Sequence, residues 1–263
     1  MSTILKVVRY ELRNVMRSRW VIAYGLFFLV TTELLLRLGG STPRALLSLL
    51  NIVVLFIPLV TIVFGTIYWH ASREFTELLL AQPVQRGALF HGLFAGLVLP
   101  LSAAFLVGVS LPLVLHGGLG RDSIALLALM LIAGVALTAV FGALATLVAG
   151  TVDDRLRALG VALGLWGVMT LAWDGLILWV TVAFADRPLE QPMLAMTFLN
   201  PVDLARVLLI LRLDVAAMMG YTGAVFSRFL GGWIGTAAAL AGLAAWALVP
   251  GLFALRAFKT RDF

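Results

Sequence analysis

Side chains that perform chemistry in enzymes are few in this sequence and lie far apart. It has no cysteine, and its three histidines, His70, His91 and His116, form no His-x-x-x-His pair. Neither of the two lysines, Lys6 and Lys259, completes the Gly-Lys-Ser/Thr motif with which a P-loop holds phosphate. The motifs His-Glu-x-x-His and Gly-x-Ser-x-Gly are absent as well. The sequence therefore predicts no catalytic residue, no cofactor bound by this chain and no ATP hydrolysis by the chain itself.

Methionine is the only soft ligand type that the chain offers to a metal. Four methionines fall in the long segment 185–229: Met193, Met196, Met218 and Met219. A thioether sulfur suits Cu(I), but methionine also fills gaps at adaptable apolar surfaces. The four are candidates for contact with a periplasmic partner, with lipid or with a soft metal, and no metal site is assigned to them.

Composition shows what kind of element must hold these residues. Hydrophobic residues make up 62% of the 263 residues and charged residues only 12%, and the mean hydropathy is +1.07. A soluble chain is about half apolar and about one quarter charged. So few charges cannot coat a water-soluble surface, which excludes a cytosolic enzyme, a disordered chain and a nucleic-acid-binding domain. The composition predicts an all-α integral membrane protein.

Six apolar stretches are long enough to cross a bilayer core of about 30 Å, which requires about 20 residues per helix. They are Trp20–Leu38, Ala45–Trp69, Gly92–Leu115, Ile124–Gly150, Ala158–Phe184 and Leu230–Leu255. Small residues recur every fourth position in span four, a spacing that allows close helix packing within the subunit or at a dimer seam. This stripe is Gly134, Thr138, Gly142, Thr146 and Gly150, and Gly160 with Gly164 repeats the pattern in span five.

Three charged residues interrupt the predicted spans: Glu33, Arg37 and Asp174. A charge inside the bilayer costs several kcal/mol unless it is paired or solvated. Asp174 lies about 24 Å from the inner end of span five at 1.5 Å per residue, and Arg37 is a candidate partner at a similar depth. Glu33 and Arg37, four residues apart, alternatively pair with each other. Asp174 is either paired or reached by water for structural reasons, or it lines a translocation path.

The distribution of basic residues predicts the orientation. Twelve lysines and arginines lie in the two tails and in the loops after spans two and four, and seven lie on the other side. Because basic residues accumulate in cytoplasmic loops, both termini are predicted to be cytoplasmic. Residues 1–19 form an amphipathic helix with opposed apolar and basic faces, which predicts an interfacial helix rather than a signal peptide. Residues 20–263 then form the six-helix transmembrane domain.

The loop 71–91 after span two contains a short helix of its own. Residues 73–82 have helical composition, and Pro83 ends the helix. Phe75, Leu78 and Leu79 lie three to four residues apart, which predicts one apolar face buried against something. The loop is either a connector packed on its own helices or a docking helix for a cytoplasmic partner.

The segment from Glu74 to Arg86, with its leucines followed by Pro83 and Val84, resembles the corresponding loop of ABC-2 type permeases. The six-span layout and the basic N-terminal helix are similar to that family too, and the likeness implies a type V exporter-like fold. It also implies a coupling helix seated on a separate ABC ATPase that binds ATP and Mg²⁺, and a second copy of the permease. The implied docking residues are Arg73, Glu74, Phe75, Glu77, Leu78 and Arg86.

The long segment 185–229 carries a second resemblance. Residues 200–203, Asn-Pro-Val-Asp, predict a helix start with asparagine as N-cap, proline in the first position and aspartate in the first turn. This stretch, residues 220–226 and the terminal Arg-Asp-Phe are similar to a branch of the ABC-2 family that serves the maturation of nitrous oxide reductase, a copper enzyme. The likeness implies an inner-membrane permease with a periplasmic β-helix partner, contact with membrane lipid and no nucleic-acid partner.

Other functions remain open at this stage. The cargo is copper, a sulfur species, or none if the transporter does mechanical work on a partner. An ABC-2 exporter for another cargo and a non-transporting membrane scaffold are the main alternatives. A proton-coupled carrier is less favoured because spans one to three and four to six show no internal repeat.

Overall fold

The computed structural model describes residues 15–16, 18–39, 42–81, 84–116, 121–187, 189–211 and 232–260. Within these ranges every regular element is helical, which agrees with the all-α prediction. Most of the predicted interfacial helix 1–19 lies outside the described residues, as do Met218, Met219 and Pro83. The expectations for those residues stay predictions.

The described helices are named in chain order. They are α1 (Arg19–Leu38), α2 (Thr42–Ala71), α3 (Arg73–Leu80), α4 (Arg86–Leu115), α5 (Arg121–Thr151), α6 (Arg155–Gly167), α7 (Trp173–Ala183), α8 (Glu190–Phe198), α9 (Pro201–Leu211) and α10 (Trp233–Thr260). A π-helical turn, Val168–Ala172, joins α6 to α7, so that the fifth span is one long helix with an interruption.

Six helical segments of the described chain are long and apolar enough to cross a membrane, which confirms the six predicted spans. They are α1, α2, α4, α5, α6 with α7, and α10. Two boundaries differ from the prediction by five residues or more. Helix α4 begins at Arg86 rather than Gly92, so the end of the predicted loop 71–91 is helical, and α10 continues past Leu255 to Thr260. Hydropathy locates only the part of a helix that lies in lipid, whereas backbone hydrogen bonding continues the helix into polar residues.

The core is centred on α5, which packs against α2, α4 and α10. Its small residues bring these helices close, because Gly134 faces the ring of Phe105 and Gly142 faces Val98. An added Cβ at Gly142 would lie 3.0 Å from the Val98 side chain. The predicted stripe in span four therefore serves packing within the subunit at these positions.

The fifth span differs from the others in its exposure. Only 11% of its apolar window is buried within the described chain, compared with 50% for span four. Its hydrogen bonds to neighbours include one from the Trp166 indole nitrogen to the Leu55 carbonyl oxygen, at 3.3 Å. Span five thus packs on α2 with one side, and the described residues leave most of its surface uncovered.

Candidate functional site

Helix α3 presents opposite faces to the core and to solvent. Thr76 is 2% exposed, and its hydroxyl donates to the Ser72 carbonyl oxygen at 2.8 Å. Leu79 and Leu80, three and four residues later, pack against the core of the bundle. The outward side, which we name the docking face, consists of Glu74, Glu77, Leu78 and Ala81.

Leu78, expected on an apolar face buried either on the chain's own helices or against a partner, is 70% exposed on the docking face. Phe75, also expected on the buried face, is half-buried. Three consecutive leucines at positions 78–80 offer two apolar stripes, and hydrophobic spacing alone cannot choose between them. The stripe that contains Thr76 and Leu80 faces inward, so Leu78 is exposed on the outward face beside Glu74 and Glu77.

Arg73 joins α3 to the connector 152–154 between α5 and α6. Its Nε lies 3.1 Å from Glu77 Oε1, and its Nη1 lies 3.4 Å from Asp153 Oδ1. His70, in the last turn of α2, contacts the same connector. Its Nε2 lies 3.2 Å from the Val152 carbonyl oxygen. The predicted docking residue Arg73 is therefore engaged within the chain.

The chain that follows α3 is also held by a contact within the protein. Arg86, the first residue of α4, donates from Nη1 to the Lys259 carbonyl oxygen at 2.8 Å. Lys259 lies in the last turn of α10. Arg86 thus ties the segment that follows α3 to the end of the sixth span, and the six predicted docking residues divide into an outward set and an anchoring set.

A second cluster lies near the other end of span five, around a hairpin of two short helices. Helices α8 and α9 meet at an angle of 114°. At the bend, Asn200 Oδ1 accepts from the Val202 backbone nitrogen at 2.9 Å, and Asn200 Nδ2 donates to the Met169 carbonyl oxygen in the π-helical turn at 2.6 Å. The predicted helix start at Asn200 is confirmed. The Trp246 indole nitrogen donates to the Phe198 carbonyl oxygen at 3.0 Å, which also ties the bend to α10.

Arg206 on α9 bridges two carboxylates. Its Nη1 lies 2.7 Å from Asp174 Oδ1 on α7 and 3.2 Å from Asp203 Oδ1, one turn earlier on its own helix. The Asp203 side chain is 7% exposed and that of Asp174 is 49% exposed. The hairpin is thus held to span five by an ion-paired cluster that is buried on the α9 side and open on the α7 side.

The electrostatics of Asp203 follow from this placement, since α9 lies outside the six membrane spans. Burial raises the pKa of Asp203 to about 6, the Arg206 guanidinium opposes that rise, and the Asp174 carboxylate adds to it. Burial disfavours the ionised carboxylate, and one guanidinium shared between two carboxylates only partly offsets this. Asp203 therefore titrates near pH 6.

Arg37 is not the partner of Asp174, contrary to one of the two pairings that the sequence predicted. Arg37 Nε lies 2.6 Å from Glu33 Oε1, the alternative pairing four residues apart on α1. Glu33 Oε2 also lies 3.6 Å from His116 Nδ1 at the end of α4. Helix α1 packs mainly on α4 and span five mainly on α2, so similar depth in the membrane does not bring Arg37 to Asp174.

Of the four candidate methionines, the structure describes Met193 and Met196, both on α8. Met193 is buried and packs with Leu189 and Val207 against α7, which is the gap-filling role of methionine. Met196 is half-buried on the same helix. A cleft of 360 Å³ opens between α7 and the hairpin, lined by Asp174, Asp203, Arg206 and Met193 among others. In the described part of the chain, no group of three or more histidine, cysteine or acidic residues has the arrangement of a metal site.

Sequence reasoning missed Asp203 and Arg206 as members of a site with Asp174. In the sequence, Asp203 indicates only the start of a helix, and Arg206 is only one of the basic residues whose distribution predicts the orientation. The spacing of Asp203 and Arg206, three residues apart on one helix, was the available signal for the local pair. Their meeting with Asp174, 32 residues earlier, depends on the bend between α8 and α9.

The family of the chain follows from comparison with known proteins. Residues 52–263 match the model of the ABC-2 family transporter proteins. The chain therefore belongs to the ABC-2 family of membrane transporter proteins, and both α3 and the hairpin of α8 and α9 lie within the matched region. Membership makes it a multi-pass membrane permease of the ABC type, a class that works with an ATPase partner.

Two relatives carry the same name. The chain is 27% identical over 233 residues to the protein named Probable ABC transporter permease protein NosY of Stutzerimonas stutzeri, with 79% of this chain and 81% of the relative covered. It is 27% identical over 246 residues to the protein of the same name from Pseudomonas aeruginosa, with 84% of this chain and 86% of the relative covered. The chain is thus similar to NosY permeases along most of its length.

Proposed function

We propose that this chain is the permease subunit of a transporter whose separate, NosF-like ATPase binds the docking face of α3. The observation that carries the proposal is Leu78, a leucine exposed on the same face as Glu74 and Glu77 of a short helix outside the membrane spans. An apolar groove with a basic rim on the ATPase is complementary to this face. ATP and Mg²⁺ bind the ATPase. The conformational change of the ATPase moves α3, and α3 in turn moves the membrane helices.

The proposed location is the bacterial inner membrane, with both termini in the cytoplasm. Helix α3, the connector 152–154 and the end of α10 share one end of the bundle, through the Arg73–Asp153 and Arg86–Lys259 contacts. These three segments follow spans two, four and six, on the side where basic residues are in excess. The hairpin of α8 and α9 then faces the periplasm.

A second copy of the permease is proposed to pack on span five. The helix carries exposed Leu163 and Leu171, and an added Cβ at Gly160 or Gly164 would meet nothing within 4 Å. The half-exposed carboxylate of Asp174 lies on the same span, and a charge that faces lipid is costly. A protein partner that encloses a hydrated seam accounts for both the exposed leucines and the half-exposed carboxylate, whereas lipid accounts only for the leucines.

The work that we propose for the complex is copper-site assembly of nitrous oxide reductase, with a NosD-like β-helix protein as periplasmic partner of the hairpin. The similarity to proteins named NosY along most of the chain supports this assignment. The cargo is copper or a sulfur species, or the complex does mechanical work on its partner. An exporter for another cargo and a membrane scaffold are the competing functions.

Docking is tested by substitutions on α3. Leu78→Asp, or Glu74→Lys combined with Glu77→Lys, should abolish co-purification of the ATPase and its stimulation by the permease, because each change opposes the apolar or acidic character of the docking face. Leu156→Asp is the matched control, since this leucine is 78% exposed but lies at the start of α6. Unchanged co-purification in the Leu78 and glutamate variants would refute the docking assignment.

The transporter and the scaffold are separated by an ATPase that assembles but cannot hydrolyse ATP. The complex with this ATPase should leave nitrous oxide reductase deficient in copper or in sulfur, measured on the purified reductase. A scaffold requires only assembly, so a reductase with normal metal and sulfur content would favour the scaffold. An adjacent gene pair for an ATPase and a β-helix protein would support the assignment to copper-site assembly.

A further inference from the structure

The contact between Arg73 and Asp153 links the docking helix to a different part of the bundle. Arg73 is the first residue of α3, and Asp153 lies 80 residues later in the connector between spans four and five. The same guanidinium also holds Glu77, which belongs to the docking face. One cation is therefore shared between the surface proposed for the ATPase and the inner end of span five.

We propose that Asp153 is a positioning residue that couples the docked state of α3 to span five through Arg73. The proposal rests on the ATPase docking described above and adds the route by which docking reaches the membrane. A basic group of the ATPase beside Glu77 competes with Arg73 for that carboxylate. The Arg73 guanidinium then pairs with Asp153 alone, and the connector moves toward α3.

The connector is built to pass this movement on. It contains only residues 152–154 between the last residue of α5 and the first residue of α6. Asp154 caps α6, because its side chain accepts the Arg157 backbone nitrogen at 2.8 Å. Asp153 directly precedes the N-cap of α6, so no flexible segment separates it from the helix. A displacement of Asp153 therefore moves the start of α6. The His70 contact with the Val152 carbonyl oxygen keeps the connector close to α2 at the same level.

Span five is the element with freedom to respond. The described residues cover little of its apolar surface, and the π-helical turn at residues 168–172 interrupts it halfway along. Its outer part carries Asp174, which is paired with Arg206 on the hairpin. Movement at Asp153 therefore has a continuous path from the inner end of span five to the periplasmic hairpin.

The test uses the full chain with its ATPase in lipid nanodiscs. Because the chain has no cysteine, Leu115→Cys and Val182→Cys introduce two unique spin-label sites at the outer ends of spans three and five, both exposed. Labelled chains are diluted with unlabelled chains so that one pair of labels is measured. The quantity measured is the shift in label distance when Mg·ATP and vanadate trap the ATPase, together with co-purification of the ATPase.

Three substitutions are compared in this background. Asp153→Asn removes the charge but keeps the side-chain shape, and it should lose most of the nucleotide-dependent shift while the ATPase still binds. Asp153→Glu keeps a carboxylate and should retain the shift. Arg155→Gln removes a charge from an exposed residue near the same connector and should retain the shift too. Both members of the ion pair are exposed, so the fold does not depend on it.

The outcomes separate the two proposals. A wild-type chain that does not bind the ATPase refutes the docking face and, with it, the role of Asp153. An Asp153→Asn variant that binds the ATPase and shows the wild-type shift refutes only the role of Asp153. The same holds for a variant that loses ATPase binding, because Asp153 would then act in docking itself.

Discussion

Removal of the charge of Arg206 tests the electrostatics of the cluster that it forms with Asp174 and Asp203. Arg206→Met keeps most of the apolar stem and removes the guanidinium that bridges Asp174 and Asp203. The buried Asp203 then has no counter-charge at hydrogen-bond distance among the contacts described for it. It responds by taking up a proton, because burial already raises its pKa to about 6 and the loss of Arg206 raises that pKa further.

This proton uptake limits the cost of the substitution and makes it depend on pH. In the wild type at pH 7, roughly one tenth of Asp203 is protonated if its pKa is about 6. Forcing full protonation costs at most about 1.4 kcal/mol at pH 7, about 2.7 kcal/mol at pH 8 and nearly nothing at pH 5. Loss of the half-exposed Asp174 contact adds on the order of 0.5–1 kcal/mol at every pH.

The sign for the wild type follows from the same raised pKa. A carboxyl group whose folded pKa lies above its unfolded value of 3.8 contributes stability that is complete below that value and is lost as the pH rises through about 6. Asp203 therefore favours the folded chain more at pH 5 than at pH 7. Asp203→Asn, which keeps an oxygen for Arg206 but cannot ionise, should remove this part of the pH dependence.

The assay is reversible unfolding in mixed micelles by titration with SDS, followed by tryptophan fluorescence at pH 5, 7 and 8. The wild type, Arg206→Met, Asp203→Asn and the double variant form a thermodynamic cycle at each pH. The cost of Arg206→Met should increase from pH 5 to pH 8, and the increase should disappear in the Asp203→Asn background. A cost that is independent of pH, or an increase that survives in the double variant, would refute the reasoning.

Two other substitutions test packing and capping. Gly108→Ala should destabilise the fold by about 1–3 kcal/mol, because the added Cβ would lie 2.7 Å from the Gly25 carbonyl oxygen, a backbone atom that cannot move aside. Gly164→Ala, which meets no described atom within 4 Å, should be neutral or stabilising by up to about 1 kcal/mol in the same SDS titration of the monomer, because alanine favours the helix. Asn200→Ala should cost about 1–2 kcal/mol through loss of the α9 cap, and hydrogen exchange should increase in the hairpin before the spans. Equal stability of the two glycine variants, or an unchanged hairpin in Asn200→Ala, would contradict these assignments.

The sequence by itself determined the features that depend on local properties. Six spans follow from runs of apolar residues, because a helix that crosses lipid must be apolar along its own length whatever its neighbours are. The cap at Asn200 follows from bonds between residues two positions apart, and the local ion pair of Glu33 with Arg37 follows from helical spacing. The short helix after span two was also predicted, but the sequence did not show which of its leucines pack on the bundle, because three consecutive leucines fit two stripes equally well.

Only the tertiary structure decided which distant groups meet. Arg206 reaches Asp174 because the hairpin bends by 114° and returns to span five, and Arg73 reaches Asp153 because α3 lies beside a connector 80 residues later in the chain. Depth in the membrane favoured Arg37 for Asp174, but depth fixes one coordinate and leaves open which helices are neighbours. The physical reason is that hydropathy and spacing describe one helix at a time, whereas partners between helices depend on packing that all of them determine together.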